Sequence, residues 1–100
     1  MGWADAAIEK LQNGEEAQMR PRGNSMSGKV ESGQLVTLRP FDPLSYVVGD
    51  VVLVKVKGRI YLHLIKAIAG SRILIGNNKG HDNGWTNVGS IYGKAIRVEP

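Results

Sequence analysis

The 100-residue sequence contains no cysteine, which excludes disulfides, thiolate metal sites and a cysteine nucleophile. Its two histidines have no paired-carboxylate spacing around them, so no metal constellation is legible and no metal or other cofactor is expected. No apolar run approaches the roughly 18 residues that a spanning helix needs. The start, "MGWADAAIEK", has neither the basic residues nor the apolar stretch of a secretory signal. These absences predict a chain with no membrane span, and they fit a cytoplasmic location. Internal repeats and low-complexity tracts are missing too.

What is present suits one small soluble domain. Hydrophobic residues make up 42% and charged residues 22%, enough apolar material for a single core and too little length for a second module. The net charge of +4 raises the question of nucleic acid. Lys55, Lys57 and Arg59 form the densest basic run and would share one face of a strand. A solvated face whose charges guard an edge is the favoured reading over a phosphate-binding stripe.

Residues 4–12, "ADAAIEKLQ", place alanines, Ile8 and Leu11 at helical spacing, and Asn13-Gly14 supplies a stop. This predicts a short amphipathic helix that covers an edge of the core, followed by a connector, "GEEAQMRPR". The helix and connector occupy residues 1–20 and a β domain residues 21–100. From Gln34 onward the pattern is β-type: "QLVTL", "DVVLVKV", "IYLHLIKAI", "RILIG" and "IYGKAIRV" are five expected strands. "KGR" at 57–59 and "AGS" at 69–71 are hairpin links, so their flanking strands should be antiparallel neighbours. "PFDPLSY" at 40–46 and "GNNKGHDNGW" at 76–85 read as loops. Trp3 and Trp85 are expected in the core or covering an edge. The fold class is therefore mostly β, one small domain of antiparallel strands with a short N-terminal helix.

The chemistry centres on "GNSM", where Ser25 sits in a glycine-rich turn ahead of a β-type run. A serine hydroxyl needs a base within hydrogen-bond reach and donors for the oxyanion that develops. His63, His81 and Lys66 are the candidate bases. In "IYLHLIKAI" alternation puts Leu62 and Leu64 on the core face, with Tyr61, His63 and Ile65 on the other. His63 and Lys66 would point opposite ways in a regular strand, and a lone histidine between leucines has a structural reading as well as a catalytic one.

Taken in order, "GNSM", "VGDVVLV", "YLHLIKAI", "ILIGNN" with "HDN", and "IYGKAIRV" resemble the superfamily of serine peptidases that contains the LexA-type self-cleaving repressors and the type I signal peptidases. The resemblance covers residues 22–98. At "YLHLI" the chain is most similar to the Ser-His signal peptidases of the endoplasmic-reticulum and archaeal type. It implies a signal-peptidase-like β fold with Ser25 as nucleophile and His63 as base, acting on an extended peptide or protein substrate with small residues at the cut. It also implies that Asp82 orients His63, beside the alternative that Asp82 is an Asx-turn residue. Gly23, Asn24 and Met26 would contribute to substrate binding or the oxyanion site, chiefly through backbone donors such as the Ser25 N–H. His81 reads as a loop residue. The chain departs from the family at Ser27, Gly28 and Gln34. Those departures motivate the alternatives of an inactive module that binds a protein or nucleic acid, and of self-processing of residues 1–20.

Overall fold

The computed structural model describes residues 2–100. The domain is mostly β, a curled antiparallel sheet with one short N-terminal helix, as expected. Helix α1 spans Asp5–Gln12. The strands are β1 (Ala17–Met19), β2 (Leu35–Pro40), β3 (Val51–Val56), β4 (Arg59–Ala69), β5 (Arg72–Gly76), β6 (Asp82–Asn87) and β7 (Ile91–Glu99), in sheet order β1-β2-β7-β3-β4-β5-β6.

Two of these seven strands fall in segments that local composition assigns elsewhere. β1 lies in the presumed connector and is only three residues long. It exists because Ala17 to Met19 pair with Leu38 to Val36 and bury Ala17. β6 is "DNGWTN", turn-forming chemistry held extended by its ladder with β5. Tertiary pairing overrides weak β propensity in both cases.

The two expected hairpins are present. Lys57 and Gly58 both have positive φ, 50° and 81°, the signature of a two-residue type I′ turn, and this fixes Val56 opposite Arg59 and His63 opposite Val52. β4 and β5 are likewise joined through Gly70-Ser71, with Ala69 opposite Arg72.

Both faces of the sheet are buried. On one, Ala4 at the N-cap and Ala7 and Leu11 of α1 pack with Met26, Val30, Leu38, Leu53, Leu62 and Leu64. On the other, Val52, Val54 and Val56 pack with Ile65, Ile73, Ile75 and Ile91, and Tyr61 lies against them. The β4 alternation is therefore as expected, with Leu62 and Leu64 on the helix side and Tyr61 and Ile65 opposite. Trp3 and Trp85, expected in the core or covering an edge, lie outside the core, 59% and 41% exposed. Among the described residues no helix is long and apolar enough to cross a membrane.

Helix α1 sits close to the sheet because β7 offers no side chain at Gly93. A Cβ there would lie 2.8 Å from the Arg39 carbonyl oxygen and 2.8 Å from Leu11 Cδ1, and the carbonyl belongs to a paired strand that cannot retreat. Gly93→Ala should lower stability by about 1–3 kcal/mol, the usual cost of overpacking, read as a lower urea midpoint at unchanged slope. A midpoint equal to wild type would show that the helix is free to shift.

Candidate active site

Ser25 lies in the segment between β1 and β2. Residues 24–30 form a tight turn in which Ser27 N–H and Oγ both donate to the Asn24 carbonyl, and Lys29 and Val30 N–H to that of Met26. Met26 and Val30 are buried and pin the turn to the helix-side core. Ordering seven backbones costs about 1–2 kcal/mol each, while burying Met26 and Val30 contributes roughly 1.5–3 kcal/mol each. Packing alone does not hold the turn. Hydrogen bonds supply further support: Asn78 N–H donates to the Ser25 carbonyl at 3.0 Å, Asn78 Nδ2 donates to the Ser27 carbonyl at 2.8 Å, and Glu31 Oε2 accepts from Gly28 N–H at 2.7 Å.

This turn brings Ser25 Oγ to 3.2 Å from His63 Nε2 on β4, across 38 residues of sequence. The other ring nitrogen, Nδ1, is 2.6 Å from Asn83 Oδ1. An amide oxygen can only accept, so Nδ1 carries the proton and Nε2 presents its lone pair to the serine hydroxyl. Tyr61 stacks on the imidazole at 5.1 Å between centroids. His63 is only 8% exposed. Its pKa is lowered below the ordinary 6.5, first by desolvation and further by the neighbouring charge of His81, with the Asn83 hydrogen bond acting in the opposite sense. The imidazole is neutral at pH 7, the state a general base requires.

The expected orienting residue was Asp82, and the structure puts Asn83 in that place. On the β5–β6 ladder Ile75 faces Gly84 and Gly76 faces Asp82, leaving Asn83 as the unpaired residue of a bulge. A bulge re-aims the side chain of its extra residue, here into His63, while Asp82 is exposed and has no hydrogen bond to the ring. Lys66 occupies a second bulge, between Ile65 and Ala67, and its Nζ donates to the Asn77 carbonyl at 3.1 Å and not to Ser25. His81 is in the loop after β5, exchanging hydrogen bonds with Asn77.

Gly23 and Met26 line a cleft of about 640 Å³ at Ser25, together with Trp3, Met19 and Ile60. Gly23 N–H is committed to Ser32 Oγ at 3.1 Å and does not serve as an oxyanion donor. Asn24 is not part of the lining; its carbonyl closes the turn. The Ser25 N–H has no hydrogen-bond acceptor among the described residues and is the available donor beside Oγ. Sequence reasoning missed Asn78 and Asn83, both within a stretch whose turn-forming composition hides a strand and a clamp.

The far wall of the cleft is an open strand edge. β3 covers residues 59–64 of β4 and β5 covers 64–69, so residues 60–63 have a neighbour on one side only. Ile65 exchanges hydrogen bonds with Asp50 and Gly49, on the β3 side. Alternation then turns the main-chain N–H and C=O of Leu62 and Ile60 away from β3, toward the cleft.

A scan of the chain against family models finds no match, and a search of curated proteins finds no significant similarity.

Neutral burial of His63 has a thermodynamic consequence. Its native pKa is depressed, so its contribution to stability is full above about pH 6.5 and is lost as pH falls toward the native value, because the unfolded chain takes up the proton first. Between about pH 7.5 and about pH 5 wild type should therefore lose stability relative to His63→Gln. Parallel urea melts of the two proteins check this, and curves that keep a constant separation would contradict it.

Proposed function

We propose that this domain is a serine endopeptidase using Ser25 as nucleophile and His63 as general base, with Asn83 as the residue that positions the imidazole. The observation that carries this reading is the continuous relay from Ser25 Oγ to His63 Nε2 at 3.2 Å and from Nδ1 to Asn83 Oδ1 at 2.6 Å, opening on a cleft. The sequence's resemblance to the LexA and signal peptidase superfamily points the same way.

In the reaction, Nε2 takes the proton from Ser25 as Oγ attacks the scissile carbonyl carbon. The resulting oxyanion is stabilised by the Ser25 N–H, which lies beside the attacking atom. The imidazolium then gives its proton to the leaving amine as the C–N bond breaks, leaving Ser25 acylated. Water attacks the ester carbonyl while Nε2 accepts its proton, and that proton returns to Ser25 Oγ as the acid product departs. Asn83 fixes the tautomer throughout. Being neutral, it gives the imidazolium a hydrogen-bond dipole where a carboxylate would give a full charge.

The substrate lies extended along the open edge of β4, accepting from and donating to the free main-chain groups of Leu62 and Ile60, as an added strand does. Cleavage in trans is favoured because residues 5–12 are helical and residues 17–19 are paired with β2, which keeps the N-terminal segment in regular structure.

The direct test is cleavage of a diverse peptide pool, read by mass spectrometry. Products formed by wild type should fall by at least about 10²-fold in both Ser25→Ala and His63→Ala. Products that persist in either variant would remove the dyad. The pH profile tests Asn83: the acid limb of kcat/KM should have its midpoint below 6.5 in wild type and move to higher pH in Asn83→Asp, since a carboxylate beside Nδ1–H favours the imidazolium. An unmoved limb would show that residue 83 does not act on His63.

A further inference from the structure

The cleft carries a charge pattern that neither the serine–histidine pair nor the β4 edge uses. Arg20 and Arg22 both line it, on the segment that leads into Ser25. Neither has a carboxylate partner, since the ion pairs among the described residues are Lys94–Asp50 and Arg97–Glu99. Arg20 Nη1 donates to the Gly33 carbonyl at 2.9 Å, which holds the guanidinium in place and leaves its other N–H groups free. Arg22 is exposed. Glu31 is the one acidic residue of the lining, and its Oε2 is taken by Gly28 N–H inside the serine turn. The cleft lining thus carries two guanidinium groups against one carboxylate, and neither guanidinium is ion-paired.

We propose that the cleft selects extended peptides bearing an acidic side chain along Arg20 and Arg22, each guanidinium offering a carboxylate its paired N–H donors. The inference rests on a peptide occupying the cleft as described above, and it does not require turnover. Arg22 lies three residues before Ser25 in a segment that bends at Gly23 and Asn24, so the acidic residue falls within a few positions of the scissile bond, and the scan locates it. A nucleic-acid backbone would meet the same charges. The apolar floor of Met26, Ile60 and Leu62 and the free strand edge of β4 match a peptide instead.

The test uses full-length protein carrying Ser25→Ala to stop turnover, with fluorescent alanine-based peptides that differ only by Glu, Gln or Lys at one scanned position. The Glu peptide should bind roughly three- to tenfold more tightly than the Gln peptide, with Lys weakest, for two solvent-accessible ion pairs. The preference should weaken with Arg22→Gln added, and disappear with Arg20→Gln and Arg22→Gln together and at about 1 M salt. It should persist with Arg72→Gln, which removes one positive charge from an exposed β5 position outside the cleft lining. Equal binding of the Glu and Gln peptides would overturn the proposal, as would a preference that survives Arg20→Gln with Arg22→Gln, no binding of any peptide, or tighter binding of a single-stranded oligonucleotide of matched charge. Wild-type cleavage is scored separately. A charge preference without cleavage would sink the peptidase reading alone, and cleavage without a preference would sink this one alone.

Discussion

Strand β4 is eleven residues long, and no neighbour in the sheet matches it along its whole length. β3 covers its first half and β5 its second, with the two coverages meeting at Leu64. His63 is the residue just before that step. On one side of it the sheet is continuous and buries the imidazole; on the other the strand edge is bare and borders a cleft. A fully paired strand at this position would bury the histidine beyond reach of a substrate, and a fully bare one would leave it solvated and protonatable. The mismatch in strand length is what gives the ring a dry environment and an open approach together.

Around that step the polar groups are placed by irregularities in the ladders. The β6 bulge frees Asn83 to reach Nδ1, and the β4 bulge sends Lys66 to the Asn77 carbonyl, where it steadies the loop whose next residue, Asn78, clamps the serine turn. The candidate nucleophile is thus held through two layers of contact: Met26 and Val30 in the core beneath it, and an amide side chain reaching from a loop some fifty residues away in sequence. The pKa of His63 is lowered, the direction that suits a base, by the desolvation that the sheet imposes.

Strands β2, β3, β4, β5 and β7, the helix and both hairpins follow from apolar alternation and turn chemistry, which are local and therefore legible in the sequence. Ser25 and His63 were legible as a pair only through resemblance, because 38 residues separate them and nothing in their spacing brings them together. β1 and β6 were illegible for a different reason. Ala-Gln-Met is too short to show a period, and Asp-Asn-Gly-Trp-Thr-Asn has the composition of a loop, so each is a strand only because a partner strand makes it one. The exchange of Asp82 for Asn83 follows from the same cause: a bulge shifts the side-chain parity by one, and no sequence period announces it.

The two halves of the serine–histidine pair belong to different packed layers. Ser25 rides on Met26 and Val30 in the helix-side core, whereas His63 faces the layer built from β3, β4 and β5. The first layer is closed by an eight-residue helix and a three-residue edge strand, the second by long ladders. Local opening follows such differences in contact density, so the segment carrying Ser25 detaches at lower free energy than the sheet that carries His63. Heating or mild denaturant should then part the hydroxyl from the imidazole while most of the β structure is intact, so that loss of the site precedes loss of the fold.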